Sequence, residues 1–248
     1  METLFTFATP PGQCGYLPDR TWSLRYDIVG KMTPAEYGER LRAGWRRFGH
    51  SLFRPECPTC TACQSLRVDV PRFDPSRTQA RVRKKNAGAI ALTVTSPSVT
   101  PEKLALYDRF HAFQSDFKGW PGREPETVAD YAESFLDNPF DTEEWQYHVG
   151  DRLVGVGYVD VVPDGLSAIY FYHEPDFRDR SLGVWNVLEV IRSATERGLP
   201  FVYMGFHVEG CRSLEYKAAY QPNEALDAAT GTWRPFAERG VSPVSPAG

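Results

Sequence analysis

The stretch RPECPTCTACQSLRV, residues 54–68, places Cys57, Cys60 and Cys63 at C-x2-C-x2-C spacing. A fourth cysteine, Cys14, lies upstream in QCGYLPDR. Thiolates this close together suit a metal ion or redox chemistry, and Cys14 could complete a tetrahedral set for zinc or for an iron–sulfur cluster. Reduced thiols packed as small hydrophobic side chains near a loop are the alternative. The four cysteines are therefore candidate metal ligands, with the packing interpretation left open.

A second motif that could take part in binding or catalysis is RSLGVW, which runs from Arg180 to Trp185. It partly fits the R-x-x-G-x-[G/A] loop of acetyltransferases, in which backbone N–H groups at a helix N-terminus hold a pyrophosphate. Trp185 stands where that motif has a small residue, which argues against ordinary coenzyme A binding, and a plain helix start fits equally well. The sequence contains no serine nucleophile elbow, Walker loop or dinucleotide fingerprint, so covalent hydrolase chemistry is disfavoured.

Positive charge is concentrated around the clustered cysteines. Residues 40–85 hold 12 lysines and arginines against three acids, a balance of +9. The rest of the chain holds 16 against 29, a balance of −13, so the net charge of −4 conceals a strong asymmetry. A basic block of this kind is typical of a docking surface for a polyanion, although an ordinary solvated face is the alternative.

Two capping-box signals lie in or beside this basic block. T-P-A-E at residues 33–36 predicts a helix over about 34–48 that stops at Gly49, and S-R-T-Q at residues 76–79 predicts a helix that ends near Gly88. The second helix should present four cations on one face, at i, i+4, i+7 and i+8: Arg77, Arg81, Lys84 and Lys85. Like charges stacked in this way repel, and an anionic partner would remove that cost.

The remaining periodicity alternates helices with strands. It predicts strands over 66–70 and 89–95, helices from 101 to about 117 and from 126 to about 137, three antiparallel strands between 144 and 173, a helix over about 181–197 and a strand over 200–208. This order predicts an α+β fold, an acetyltransferase-like (GNAT-type) mixed sheet with flanking helices, preceded by a small basic, cysteine-containing N-terminal region. We expect domains at 1–95 and 96–236 and a flexible tail at 237–248.

The composition predicts a cytoplasmic protein without a membrane partner. Its 42% hydrophobic and 24% charged residues are those of a soluble globular chain. No apolar run approaches the ~20 residues that span a bilayer, and the N-terminus lacks the pattern of a signal peptide. In such a reducing compartment, the cysteines should not form disulfides. The oligomeric state stays open.

Five segments of the chain resemble one known family. CGYLPDRTWSL, GWRRFGHSLFRPECPTCTACQSLRV and SRTQARVRKKN are similar to the N-terminal region of aminoacyl-tRNA:protein transferases, the arginyltransferases of the N-degron pathway. DRLVGVGYVDVVPDGLSAIYFYHEPDFRDRSLGVWNVLEVI and GLPFVYMGFHVEGCRSLEYKAAYQP are similar to their C-terminal region. The resemblance covers about residues 14–222 and is closest to the bacterial branch. It implies transfer of leucine from leucyl-tRNA to proteins that begin with Asp or Glu, a step toward their degradation, with no cofactor required for the reaction.

The resemblance also suggests which residues form the site. The aminoacyl ester is already activated, so the enzyme must mainly align an α-amine with it and stabilise the oxyanion. The candidate catalytic residues are Arg180, Tyr216 and Lys217, and the candidates for substrate binding are Tyr170, Arg178, Glu209 and Arg212. The candidate tRNA contacts are Arg46, Arg47, Arg77, Arg81, Lys84 and Lys85. Trp45 and Phe48 could stack on unpaired bases, although inward packing is commoner for such residues.

Two other functions remain compatible with the sequence. Transfer of arginine from arginyl-tRNA suits the same scaffold. A non-catalytic tRNA-binding or metal-sensing protein would also use the basic block and the cysteines, but it leaves the acyltransferase-like half of the chain without a task. The five histidines are scattered and indicate no competing metal site.

Overall fold

The computed structural model describes residues 1–236; the tail expected at 237–248 lies outside the described residues. The helices are α1 Pro34–Arg42, α2 Arg77–Asn86, α3 Pro101–Lys118, α4 Val128–Phe135 and α5 Leu182–Glu196. The strands are β1 Glu2–Ala8, β2 Gly12–Gln13, β3 Thr21–Trp22, β4 Leu24–Lys31, β5 Arg46–Phe48, β6 Ser51–Pro55, β7 Gln64–Asp69, β8 Ala91–Thr95, β9 Thr142–Val149, β10 Arg152–Val162, β11 Gly165–His173, β12 Phe201–His207, β13 Asn223–Asp227 and β14 Thr232–Pro235. Within residues 1–236 no helix combines the length and the apolar character that crossing a bilayer requires.

A mixed sheet of eight strands forms the centre of the molecule. Its order is β14-β13-β7-β12-β11-β10-β9-β8, and within it β11 and β12 run parallel. Helix α5 provides the crossover between these two strands, as a parallel pair requires. Its apolar side, which includes Trp185 and Ile191, packs in one core with Leu166 of β11 and Val202 of β12. The predicted α+β class with a mixed sheet and flanking helices is confirmed, whereas the finer GNAT-type assignment stays a prediction.

The sheet opens between its two parallel strands. Residues 165–167 of β11 pair with residues 201–203 of β12, and the pairing then stops. Beyond that point β11 continues to His173 along β10, and β12 continues to His207 along β7. The two strands therefore diverge toward their carboxyl ends and leave a gap, which we call the fork.

A second sheet contains residues that the sequence assigned to the first helix, because that helix is shorter than predicted. The capping box of Thr33 and Glu36 is present, but α1 ends at Arg42, and Gly44 takes a φ of +83°. That left-handed conformation is open to glycine and stops the helix. The chain after it forms β5, which completes a four-stranded sheet of order β1-β4-β6-β5. The predicted continuation of the helix to Phe48 is therefore wrong.

The eight-stranded sheet draws strands from both sides of residue 95. The strand predicted at 66–70 is present as β7, and it lies between β12 and β13. The strand predicted at 89–95 is present as β8 at one edge of the same sheet. Helix α2 has its predicted capping box, formed by Ser76 and Gln79, and packs against α5. The expected division at residue 95 therefore crosses one sheet, and the division itself stays a prediction.

Candidate active site

The guanidinium group of Arg46 lies in the fork. Its Nη2 donates to the carbonyl oxygen of Ala168, the first residue of β11 beyond the paired segment, at 2.5 Å. On the other side of the fork, a Cβ added at Gly205 of β12 would lie 3.4 Å from Arg46 Nε. Gly205 has a φ of +80°, a conformation that favours glycine. Arg46, only 7% exposed, thus bridges the two diverging strands.

Lys217 adds a second cation at the same place. It belongs to the short 3-10 helix Glu215–Ala219, and its Nζ donates to the carbonyl oxygen of Phe206 at 3.0 Å. The Nζ also lies 3.4 Å from the Cβ position at Gly205. Burial, and next the charge of Arg46, lower the pKa of Lys217 to about 7. Burial likewise lowers the pKa of Arg46.

The Arg46–Lys217 pair brings two buried cationic side chains to one place. Among residues 1–236, neither side chain has a carboxylate oxygen within the 4.0 Å of an ion pair. Removing cations from water without a counterion is costly, and a bound carboxylate or phosphate would offset that cost. The fork can therefore hold an acidic group against two neighbouring cations.

Two more cations border the fork. The guanidinium group of Arg212 lies 5.4 Å from the ring centroid of Phe117, at the end of α3. Burial, and then the charge of Arg212, lower the pKa of Lys118. Cys211 acts in the opposite direction and raises the pKa of both Lys118 and Lys217, so its thiol lies near both amines.

An aromatic wall closes the fork on the side of β11. The hydroxyl of Tyr170 lies 2.8 Å from His111 Nε2. Burial, and next the charge of Arg123, lower the pKa of His111 to about 4, so its imidazole is neutral at physiological pH. Burial raises the pKa of Tyr170, so this hydroxyl keeps its proton and donates it to the imidazole. Tyr170, a candidate for substrate binding, therefore already has a partner for its hydroxyl.

The two aromatic residues considered for base stacking face inward. Trp45 is 3% exposed and belongs to the core between α1 and the four-stranded sheet. Phe48 packs edge-on against Tyr170, with ring centroids 6.0 Å apart, and also against Phe135. The burial of Trp45 leaves no ring face open to a base, whereas Phe48 is half-buried and its stacking on a base stays a prediction.

Four of the predicted site residues lie in the segment that follows β12, beside the fork: Glu209, Arg212, Tyr216 and Lys217. Tyr216 is 46% exposed, and Glu209 and Arg212 are exposed as well. The structure thus brings these four residues onto one short stretch, where Lys217 reaches into the fork and the others face solvent. Their roles stay predictions.

Arg178 and Arg180 lie elsewhere, in the 3-10 helix Pro175–Arg180 that precedes α5. Arg180 Nη1 donates to the carbonyl oxygen of Lys85 at 3.5 Å, and its own carbonyl accepts from Asn86 Nδ2 at 2.8 Å. Arg180 is thereby tied to the end of α2. Within residues 1–236 no contact joins Arg180 to Lys217, so the two predicted catalytic residues do not meet directly.

The predicted basic face of α2 is exposed. Of its four cations, Lys85 pairs with Asp179 at 2.8 Å. Within the described residues, the other three form no ion pair: Arg77, Arg81 and Lys84. The face is therefore available to a polyanion, and its contact with tRNA stays a prediction.

Arg47 is not a tRNA contact, because its side chain is completely buried. Its Nε donates to Asp160 Oδ2 at 2.8 Å, and its Nη1 and Nη2 donate to Asn138 at 2.7 Å and Thr142 at 2.6 Å. Successive side chains of a strand point to opposite faces, so Arg46 enters the fork while Arg47 enters the core. The predicted tRNA role of Arg47 is therefore wrong.

Replacing Arg47 with alanine is expected to lower the free energy of unfolding by about 3–5 kcal/mol, because it leaves Asp160 buried without its partner. Arg72→Ala is the control, since Arg72 is 64% exposed in its ion pair with Asp69 and its loss should leave stability almost unchanged. Urea unfolding of both variants measures the difference. Equal stabilities would show that the buried pair contributes no more than a surface pair.

The candidate metal ligands line one cavity of about 930 Å³, which Phe206 of β12 also borders: Cys14, Cys57, Cys60 and Cys63. Burial, followed by the other three thiols, raises the pKa of Cys63 to about 12. Within residues 1–236, however, no three Cys, His, Asp or Glu side chains are placed to hold one metal ion. The side chains as they stand do not form a ligand set, so zinc or an iron–sulfur cluster stays a prediction. Metal analysis of the purified protein beside Cys60→Ser tests it.

Sequence reasoning missed two residues that shape the fork. Gly205 sits inside the strand pattern VYMGFH, and an isolated glycine in a strand indicates that other atoms approach the backbone closely. The isolated glycine could therefore have identified this position from the sequence. Nothing in the local sequence distinguishes Lys118 from other lysines, because its neighbour Arg212 is 94 residues away in the chain.

A mixed sheet that opens between its parallel strands, with two cations in the opening that form no ion pair within residues 1–236, defines a class of protein with a cleft suited to an anionic group. Comparison with profiles of known protein families shows which family within this class the chain matches. The profile described as "Arginine-tRNA-protein transferase, N terminus" matches residues 12–81, and "Arginine-tRNA-protein transferase, C terminus" matches residues 102–227. The chain belongs to the arginine-tRNA-protein transferase family, a family of aminoacyl-tRNA:protein transferases.

Similar proteins from several bacteria carry one name, aspartate/glutamate leucyltransferase. The Campylobacter jejuni protein is 36% identical over 221 residues, which cover 89% of this chain and 92% of the relative. The Marinobacter nauticus protein is 35% identical and covers 94% and 97%, and that of Pseudomonas syringae pv. tomato is 37% identical and covers 89% and 92%. Among solved structures, L-PGS from Bacillus licheniformis matches 75% of this chain and 49% of its own, with 12% identity and a TM-score of 0.40, too distant a likeness to carry a conclusion.

Proposed function

We propose that the protein transfers leucine from leucyl-tRNA to the N-terminal amine of proteins that begin with Asp or Glu. Leucine as the transferred residue is supported by the name of the relatives. The acidic acceptor is supported by one observation above all, the Arg46–Lys217 pair in the fork, which has no carboxylate partner among residues 1–236. The acceptor's side-chain carboxylate supplies the missing counterion. The product is a protein marked for degradation by the N-degron pathway, in the cytoplasm where aminoacyl-tRNA is made.

The reaction requires alignment more than activation. The α-amine of the acceptor attacks the ester carbonyl carbon of leucyl-tRNA; the new C–N bond becomes an amide, the C–O bond to the ribose breaks, and the amine proton passes to the released ribose oxygen. An α-amine has a pKa of roughly 7.7–8.0, so a sizeable fraction is nucleophilic near neutral pH. By holding the carboxylate of the same residue, Arg46 and Lys217 fix where that amine can lie.

The polar groups beside Lys217 complete the proposed site. Tyr216 is next to it in the chain, and burial raises the pKa of its phenol, so the hydroxyl keeps its proton and can donate to the ester. Arg212 and Lys118 add positive potential at the entrance, which attracts both an acidic peptide and an RNA end.

Helix α2 is the proposed contact for the tRNA backbone. Arg81→Glu is expected to weaken binding of leucyl-tRNA by about 3–10-fold and to reduce the slope of log K against log salt by about 1–2, because a phosphate contact is lost and a repulsive charge is added. Arg83→Glu is the matched control, an exposed arginine of the same helix that helical spacing places on another side. Filter binding at several salt concentrations measures both variants, and equal losses would contradict a one-sided contact.

A transfer assay tests the proposed function. Leucyl-tRNA and arginyl-tRNA are each supplied with peptides that begin with Asp, Glu or Ala. We expect leucine to be joined to the Asp and Glu peptides alone. Arginine transfer would favour the alternative donor, and binding of tRNA without transfer from either donor would favour a non-catalytic protein.

A further inference from the structure

We propose that an exposed row of aromatic rings on the N-terminal sheet is the platform on which the unpaired 3′ end of the aminoacyl-tRNA stacks. The aromatic row consists of Phe5, Phe7, Tyr26 and Phe53. This inference rests on the proposed function, because it assigns to that reaction the surface that guides the donor's last nucleotides into the fork.

The strand register places these rings on one face of the sheet. Phe7 of β1 pairs with Tyr26 of β4, Tyr26 pairs with Phe53 of β6, and Phe53 pairs with Arg46 of β5. Directly paired residues of neighbouring antiparallel strands project from the same side. The aromatic row therefore crosses the whole sheet and ends at the cation that lies in the fork.

The rings at the outer end are open and close to parallel. The rings of Phe7 and Tyr26 lie 5.1 Å apart at 11°, and those of Phe5 and Phe7 lie 6.0 Å apart at 23°. Phe5 is 57% exposed and Phe7 43% exposed. Two large aromatic side chains on the outermost strand are costly to leave in water and mark a surface that binds something.

The inner end of the aromatic row reaches the reaction site. The ring of Phe53 lies 6.4 Å from that of Phe206, whose carbonyl oxygen accepts from Lys217. On the inner strands β4 and β6 the opposite face of the sheet is covered, since Val29 and Leu52 pack there with Leu41 of α1. The free face thus forms one continuous path from solvent to the fork.

Unpaired nucleotides suit this path better than the surface of a partner protein does. Each base offers a flat face that stacks on an aromatic ring regardless of sequence, and the phosphates between bases suit a surface that ends in cations. Arg46 and Lys217 provide those cations at the inner end. A second copy of the chain would supply apolar contact but would leave these charges unmatched.

The test separates stacking from mere apolar contact. Phe5→Leu/Phe7→Leu keeps an apolar side chain without a ring, Phe5→Tyr/Phe7→Tyr keeps the ring, and Val128→Ala removes an apolar group of 56% exposure on α4 as a control. The probe is a tRNA acceptor minihelix with 2-aminopurine near its 3′ end, whose fluorescence falls when the base stacks. KM values for leucyl-tRNA and for an Asp-initiated peptide are measured in parallel.

We expect the leucine variant to lose the quenching and to raise the KM for leucyl-tRNA by about tenfold, with the peptide KM unchanged. The tyrosine variant and Val128→Ala should stay within about twofold of the original protein. Equal behaviour of the leucine and tyrosine variants would overturn the proposal. A changed sedimentation coefficient of the leucine variant together with unchanged tRNA affinity would also overturn it. That result would show that a second copy of the chain binds this surface.

The outcomes also separate this inference from the proposed function. If the unmodified protein transfers leucine but does not quench the minihelix, the platform alone is wrong. If the protein quenches the fluorescence of the minihelix but transfers no leucine, the proposed reaction alone is wrong. Should the double leucine variant fail to fold, Phe5→Leu by itself gives the same comparison at the most exposed ring.

Discussion

Lys217→Ala is expected to lower kcat/KM for leucyl transfer to an Asp-initiated peptide by about 100-fold or more. The substitution removes one of two cations that hold the acceptor's carboxylate in a partly dry site. Truncating one member of a buried pair of opposite charges, here the Lys217 amine and that carboxylate, costs about 2–5 kcal/mol. The loss should appear mainly in the KM for the peptide, because the aminoacyl ester is not touched. Steady-state kinetics with each substrate varied in turn measures the effect.

Two variants serve as controls for Lys217→Ala. Lys217→Arg retains a charge and should recover much of the activity, and Lys31→Ala removes an exposed lysine at the end of β4 and should have no effect. The pair could instead hold a phosphate of the tRNA. In that case the KM for leucyl-tRNA would rise and that for the peptide would not, which would contradict the assignment of the site to the acceptor.

Raising the pH from 6.5 to 8.5 is expected to weaken binding of the acidic acceptor by about 25-fold. Burial and the neighbouring Arg46 hold the pKa of Lys217 at about 7, while Cys211 acts in the opposite direction. The amine is therefore mostly charged below pH 7 and mostly neutral above it. Because the charged form alone attracts a carboxylate, affinity is present at low pH and is lost as the pH rises through this pKa.

Titration of peptide binding from pH 6 to pH 9 measures this dependence. Lys217→Arg is the decisive comparison, because a guanidinium group keeps its charge over the whole range. Its affinity should be flat where that of the original protein falls. If the two curves coincide, another group controls the pH dependence, and the acceptor's own α-amine, with a pKa of roughly 7.7–8.0, would be the first to consider.

Local sequence predicted the elements that frame the site. The capping boxes at Thr33 and Ser76 locate the starts of α1 and α2, and both are formed in the structure. The sequence pattern predicts β9, β10 and β11 as three antiparallel strands and β12 as a strand that follows α5, and all four are present. These features were predictable because they depend on residues within one or two turns of helix or along a single strand.

The N-terminal sheet was not predicted, although its pattern is visible. METLFTFA alternates polar residues with Phe5 and Phe7, as a strand with one apolar face does. Its partners are β4 and, beyond it, β6 and β5. A sheet built from strands this far apart depends on pairings that no local window contains, and Gly44 alone redirected the chain from helix into β5.

What the sequence by itself determined was the number of charges, their clustering in residues 40–85, and the local periods that place them on helices and strands. The tertiary structure decided which of those charges are free. Six cations of the basic block are used in ion pairs: Arg40, Arg42, Arg47, Arg67, Arg72 and Lys85. Five of these six pairs join distant segments, so half of the 12 cations in a run of sequence that looks uniformly basic are neutralised once the chain folds. Arg46 and Arg47 show the reason most clearly, since these neighbouring arginines point to opposite faces of one strand, where Arg46 enters the fork and Arg47 meets a buried aspartate.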